Sequence, residues 1–246
     1  MGDTKLQQNN LISIIIPAYN EEKVIGRCLT SLLQGLNLIE AEIIVVCNGC
    51  TDQTASFVQS ISKDIKLLET PLASKANALN LGDERAKGFP RVYIDADVKI
   101  SGVDVKKLIV GLEKNSFQIV YPSMRVELKG VPWSVKAYYK IWCYLPFVTQ
   151  GATCGVSVLS KTGRQYFDRF PEITADDSFV RFLFSPAERG FIKNAVVTIF
   201  PPRCFFDLLK IRSRQYFGAY ELKKTLPKMI EQYPERNIGN TFFFPI

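Results

Sequence analysis

A chain of 246 residues with 47% hydrophobic and 12% aromatic content is long enough for one sizeable core and too apolar to be disordered. It contains no histidine, which excludes serine–histidine hydrolases, H-E-x-x-H metalloproteases and histidine general bases, and leaves acid–base work to carboxylates, tyrosine, lysine or cysteine. The net charge of +7, with Arg and Lys concentrated from Lys193 to Lys228, admits an anionic substrate such as a diphosphate, an anionic membrane face, or a solvated surface with no partner.

In chain order, "LISIIIPAY" is apolar throughout and reads as a buried strand. "NEEKVIGRCLTSLLQGL" follows with Val24, Ile25, Cys28, Leu29, Leu32 and Leu33 at helical spacing, and Asn20 as a candidate N-cap. "AEIIVVC", "IKLLET" and "RVYID" read as further strands. Between them lie two helices, "TDQTASFVQSIS" and "SKANALNLGDERAKG", the second closed by Gly88. Apolar strands separated by helices imply an α/β fold with a parallel sheet covered on both faces.

The pattern changes after about Ser116. "FQIVYPSMRVEL", "GATCGVSVLS" and "AVVTIF" read as strands, the last ended by Pro201 and Pro202. "PWSVKAYYKIWCYL" is a helix with Trp133, Ala137, Tyr138, Ile141 and Trp142 assigned to one face. "ITADDSFVRFLF" is a helix with Thr174 as candidate cap, and "FFDLLKIRSRQYFGAYELKKTL" is a basic helix.

Ligands of such sheets gather at the carboxyl ends of the strands. Three polar loops emerge there: "PAYNEE", "CNGCTD" and "DAD". Neither a G-x-G-x-x-G nor a P-loop sequence is present, so dinucleotide and P-loop chemistry lose support. Asp95 and Asp97 stand one residue apart, and on a strand end both would point the same way and repel unless a cation lies near them. Without histidine, a metal would be held mainly by oxygen, which suits Mg²⁺ or Mn²⁺. The six cysteines, at 28, 47, 50, 143, 154 and 204, read as reduced and buried. Cys47 and Cys50 form a single C-x-x-C, a weak basis for a zinc site. No run approaches the roughly 18 apolar residues of a membrane span, and the first residues lack a secretory core. A cytoplasmic protein is the expectation, with peripheral contact at the inner face of the cell membrane left open.

Together these stretches resemble family 2 glycosyltransferases of the GT-A fold. "SIIIPAYNEE" is close to that family's first strand and loop, and "VVCNGCTDQT" to its second strand and turn. "SKANALNLG" is close to its third helix, "YIDADV" to its D-x-D strand, and "ADD" to its later acidic pair. "IRSRQYFGAY" is similar to its basic C-terminal motif. The matches run in the family's order over about positions 12 to 220.

The resemblance implies a mostly parallel mixed sheet in a single domain over 1–246, with a donor-nucleotide half at about 11–115 and an acceptor half at 116–246. It implies that Asp97 meets a divalent ion and that Asp95 lies nearer the ribose or base. Asp177, second of the pair Asp176–Asp177, would be the general base of inverting transfer. Pro17, Tyr19 and Glu21 would pack on the nucleotide, Lys75 would lie near the donor, and Arg212 and Arg214 would clamp the diphosphate. Asn48 stands where relatives carry the aspartate that accepts the uracil N–H, which puts a UDP preference in doubt. Plainer readings stay beside these: first-turn charge for Glu21, dipole complements for the acidic pair, a solvated Lys75 and arginines, and core packing for Trp133 and Trp142. The expected activity is inverting, metal-dependent transfer of a hexose from a nucleotide-diphosphate sugar to a lipid-linked or polysaccharide hydroxyl. A non-catalytic sugar-nucleotide-binding or scaffold protein is the alternative, and nucleic acid is not expected as a partner.

Overall fold

The computed structural model describes residues 11–149 and 154–227. The N-terminal stretch, positions 150–153 at the start of the glycine-bounded strand, and Lys228 lie outside the described residues.

The first half is built as its apolar pattern requires. Strands β1 (Ile12–Ala18), β2 (Ala41–Asn48), β3 (Lys66–Thr70) and β4 (Arg91–Ile94) are all parallel, in the order β3-β2-β1-β4. Helices α1 (Ile25–Leu33), α2 (Thr54–Ile61) and α3 (Lys75–Arg85) connect them. Alternation along β2 shows that both faces are covered. Ile43 and Val45 join the main core with Ile25, Leu29 and Val58, whereas Ile44 and Val46 pack with Ala78 of α3.

Past β4 the sheet becomes mixed. A short turn after β4 leads to a two-residue strand β5 (Lys99–Ile100), then to α4 (Gly102–Lys114) and β6 (Ile119–Val126). Helices α5 (Trp133–Trp142) and α6 (Pro146–Thr149) precede β7 (Val156–Leu159), and α7 (Lys161–Arg164) and α8 (Asp176–Phe182) precede β8 (Arg189–Ile199) and the long α9 (Phe205–Thr225). The full order is β3-β2-β1-β4-β7-β6-β8-β5. Strand β7 runs antiparallel to both β4 and β6, β8 is parallel to β6, and β5 is antiparallel to β8.

Several sequence expectations are corrected. Helix α4 lies where the sequence pattern predicts no element, yet Ser101 caps it by accepting from the Asp104 N–H, and Val105, Leu108 and Leu112 are buried. Helix α1 begins five residues after Asn20, which has φ 53° and whose carboxamide accepts from the Thr51 N–H instead of capping. Gly88 does not close α3, which ends at Arg85; a Cβ on Gly88 would lie 1.9 Å from the Leu11 carbonyl oxygen, so glycine is required by that close approach. Thr174 does not cap α8: the N-cap position is Ala175, and no side chain caps the helix. The buried stripe of α5 is Val135, Tyr139 and Trp142, whereas Trp133 is 82% and Ile141 is 72% exposed. The i, i+4, i+7 spacing of that stripe satisfies the helical period better than the face first assigned.

Candidate active site

The loops after β1 and β2 are laced to each other. Glu21 N–H donates to Thr54 Oγ1 (2.8 Å), Glu22 N–H to Asp52 Oδ2 (3.1 Å), and Gln53 N–H to Glu22 Oε2 (3.0 Å). The Cys50 thiol adds a bond to the Ala18 carbonyl (3.3 Å). Parallel strands side by side deliver both loops to one edge, and these bonds fix their spacing.

Asp95 and Asp97 are not on a strand. Strand β4 ends at Ile94, and the two carboxylates flank a tight turn, so strand alternation does not govern them. The Asp95 N–H donates to the Gly155 carbonyl (2.8 Å). A Cβ on Gly155 would fall 2.8 Å from Asp95 Oδ2, and Gly155 has φ 66°, so this glycine is what lets β7 approach the turn. Arg27 braces the other side: its guanidinium donates to the Asp97 carbonyl oxygen (2.8 Å) and lies 3.5 Å over the Phe200 ring.

The cation beside Asp95 is Lys75. Its ammonium lies 2.8 Å from Asp95 Oδ1 and 3.0 Å from Asp176 Oδ2. Lys75 is the first residue of α3, whose cap Ser74 accepts from the Asn77 N–H. The same Ser74 hydroxyl bonds Glu172, and the Asn80 carboxamide makes a two-way bond with the Phe170 backbone (3.0 and 2.8 Å). Glu221 of α9 holds Thr174 (2.7 Å). Helices α3 and α9 therefore pin segment 170–174, which leads into α8 and sets Asp176 and Asp177 over the cavity.

That cavity is lined by Pro17, Lys75, Asp95, Tyr121, Asp176 and Asp177, among others. The density of acid shifts the ionisation of its groups. Burial and then Asp176 push Asp177 up to about 8, with Lys75 opposing them. Asp177 still reaches solvent at the cavity mouth, but the shell of protein around its carboxyl is dense. Burial and then Asp97 and Asp95 push Glu21 up to about 7, with the Arg214 guanidinium acting in the opposite direction. Lys75 is raised in spite of burial, because Asp176, Asp95 and Asp177 hold its charged form.

The donor set fits a hard divalent ion. Asp97 is exposed at the cleft, Asp95 and Glu21 add carboxylate charge near it, and there is no imidazole. The nearby Cys28 thiol is pushed up to about 12 by burial and is no ligand. Among the described residues no cluster of three or more His, Cys, Asp or Glu has metal-binding geometry. The Cys47 thiol, buried and next to Cys50, is likewise pushed up to about 12.

Sequence-predicted residues divide by position. Pro17, Lys75, Asp95 and Asp177 share the cavity, and Asp97 and Arg214 both act on Glu21. Tyr19 is 52% exposed on the β1 loop. Asn48 is buried at the end of β2, and its side-chain oxygen has no hydrogen-bond partner. Arg212 stands apart: it lies over the rings of Tyr138, Tyr139 and Trp142 (4.8, 5.4 and 4.7 Å) and donates to the Tyr139 hydroxyl, so it docks α9 on α5. Arg27, Tyr121 and Gly155 were missed. Each sits in a run that reads as ordinary helix or strand, and only long-range contacts give it a role.

Residues 13–169 match the family described as glycosyl transferase family 2. The uncharacterised glycosyltransferase EpsJ of Bacillus subtilis is 31% identical over 113 residues, 45% of this chain and 33% of EpsJ. The poly(ribitol-phosphate) beta-N-acetylglucosaminyltransferase TarS of Staphylococcus aureus is 30% identical over 129 residues, 50% of this chain and 22% of TarS. The match therefore spans a third or less of these relatives' own length. Among solved structures, the mannosyltransferase PcManGT from Pyrobaculum calidifontis, in complex with GDP-Man and Mn²⁺, superposes with a TM-score of 0.65 at 19% identity, over 87% of this chain and 64% of that one. TarS 1–349 in complex with UDP-GlcNAc gives 0.63 at 18% identity, over 86% and 66%. The fold is the GT-A type of these glycosyltransferases. With a family match over well more than half of its length, the chain belongs to glycosyl transferase family 2.

Proposed function

We propose that this protein is an inverting, metal-dependent glycosyltransferase that moves a hexose from a nucleotide-diphosphate sugar to a hydroxyl of a lipid-linked or polysaccharide acceptor. The observation that carries the reading is one ammonium, Lys75, joining the D-x-D carboxylate Asp95 to Asp176, with Asp177 on the same cavity. A surface acidic pair would need no such shared counter-ion.

In this reading the nucleotide lies along the β1 and β2 loops, on Pro17, Tyr19 and Glu21, with Asn48 facing the base. Arg214 holds the diphosphate from α9. Asp97 would hold Mg²⁺ or Mn²⁺, which when bound supplies positive charge to the departing diphosphate. Asp177, ionised, accepts the proton of the acceptor hydroxyl. The freed oxygen forms a bond to the anomeric carbon as the bond from that carbon to the phosphate oxygen breaks, and the nucleoside diphosphate leaves with the bonding pair. A single displacement inverts the anomeric centre. Lys75 keeps Asp95 and Asp176 in register throughout, and Arg27 holds the turn that carries Asp97.

TarS has been solved with UDP-GlcNAc and PcManGT with GDP-Man and Mn²⁺, so donors on both nucleotides belong in the test. A panel of UDP- and GDP-sugars, with Mn²⁺, Mg²⁺ or chelator, should raise the melting temperature for one donor in a metal-dependent way, because a ligand that binds only the folded state stabilises it by mass action. Asp97→Asn should abolish the metal response. Stabilisation by no nucleotide sugar, or an Asp97→Asn variant with the wild-type metal response, sinks the reading.

A membrane-facing acceptor draws support from exposed aromatic side chains. Trp133, Tyr144, Phe206, Phe217 and Tyr220 are all exposed, and α9 also carries Lys210 and Lys224. Among the described residues no helix is long and apolar enough to cross a membrane. Sedimentation with anionic liposomes that fades with salt is the expected behaviour; equal sedimentation with neutral lipid would count against it.

A further inference from the structure

We infer that Tyr121 reads the sugar of the donor: its phenolic hydroxyl, on the cavity that Asp95, Asp176 and Asp177 also line, hydrogen-bonds a polar substituent on the sugar ring. The inference rests on the transferase reading above and adds the residue that distinguishes a sugar nucleotide from a bare nucleoside diphosphate.

Three observations meet here. The cavity lining is divided between charged and apolar side chains. Lys75 and Asp95 keep 38% and 32% of their side-chain surface, whereas Cys154, Val156, Phe170 and Val180 are buried. Charged groups suit a diphosphate, and buried apolar ones do not. A pyranose ring, with C–H faces and hydroxyl edges, suits an apolar lining that carries one or two hydrogen-bonding groups.

The second observation is that one group. Tyr121 is 5% exposed and lines this cavity, and its hydroxyl has no hydrogen-bond partner in the protein. Buried hydroxyls are nearly always paired, and an orphan at a binding cavity calls for a partner that arrives from outside. The third is that the phenol is held in place. Strand β6 pairs Tyr121 with Phe191 of β8, and the Arg181 guanidinium of α8 lies 5.7 Å over its ring. The hydroxyl is therefore positioned before any ligand enters, which is how a buried polar group earns selectivity against a ligand that cannot pair with it.

Tyr121→Phe separates this from a structural role, because it removes the hydroxyl and keeps the ring. The full-length variant and wild type are compared by thermal melting alone, and by calorimetric titration with UDP-GlcNAc or GDP-mannose, whichever stabilises the wild type, and with UDP or GDP. The unliganded variant should unfold as cooperatively as wild type, since the ring is kept. Its affinity for the sugar nucleotide should fall roughly tenfold, while its affinity for the bare diphosphate stays as it was. Loss of neither affinity, or equal loss of both, would overturn the inference. A wild type that binds neither sugar nucleotide nor diphosphate overturns the transferase reading and this inference with it. One that binds both equally overturns only the inference.

Discussion

Lys75 reaches Asp176 across the cavity, its ammonium 3.0 Å from Oδ2 while it also touches Asp95 at 2.8 Å. The two carboxylates are 81 residues apart in the chain (176 − 95) and belong to its parallel and mixed halves. A single flexible side chain on the first turn of α3 thus ties the two halves of the site together. Exposed ion pairs contribute little to stability, so the value of this one lies in alignment and charge compensation.

Lys75→Met should leave three carboxylates without their shared counter-ion. Lys75 lowers Asp177 against burial and Asp176, so its loss raises that carboxyl further. A base works ionised, hence the acidic limb of kcat/KM should move to higher pH, with activity at neutral pH reduced by about 10²-fold or more. Lys75→Arg should restore part of it. A pH–rate profile checks this, and an unmoved acidic limb in Lys75→Met would remove Lys75 from the site.

Asn48 has a buried, unpartnered side-chain oxygen at the end of β2. If it faces the base, Asn48→Asp should favour a ligand that offers an imide N–H. The nucleotide ranking should shift toward UDP by about 1–3 kcal/mol, the scale of one buried hydrogen bond. Competitive titration of UDP against GDP reads the shift directly, and an unchanged ranking would take Asn48 out of the base pocket.

The two arginines of α9 should behave differently. Arg212 is caged by Tyr138, Tyr139 and Trp142, so Arg212→Ala should lower the melting temperature by several degrees, an effect on the order of 1–3 kcal/mol. Arg214 is exposed and acts on Glu21, so Arg214→Ala should leave melting unchanged and weaken diphosphate binding. Melting and UDP or GDP titration on both variants would expose the error if the effects were reversed.

Much of this architecture was legible in sequence, for identifiable reasons. Strands β1, β2 and β4 are buried on both faces, and uniform apolar runs report that directly. Helix α4 is hard to read from sequence although Ser101 and Asp104 form a cap, because Gly102 and Gly111 interrupt the helical pattern. Those glycines admit close neighbours, Leu32 and Leu36 in one case and Ile192 in the other, which no local pattern reports. The D-x-D pair was legible as chemistry and not as geometry. Asp95 and Asp97 belong to a turn, and their cations come from α3 and α1, beyond the reach of spacing rules. Arg212 and Arg214 looked equivalent on a basic helix, and only the aromatic cage from α5 separates them.

The proposed transfer stands on Asp177 as the base of a single inverting displacement. In the free protein its carboxyl is pushed up to about 8 by burial and Asp176, so kcat/KM, which follows the free enzyme's base, should rise with pH toward about 8 and fall below it. The most direct measurement pairs donor titration with ¹H NMR of the sugar released or transferred, for wild type and Asp177→Asn. The variant should bind the nucleotide sugar nearly as wild type does and turn it over roughly 10²–10⁴-fold more slowly, and the wild-type product should first appear as the inverted anomer. A fully active Asp177→Asn, or a product that retains the donor's configuration, would contradict the account.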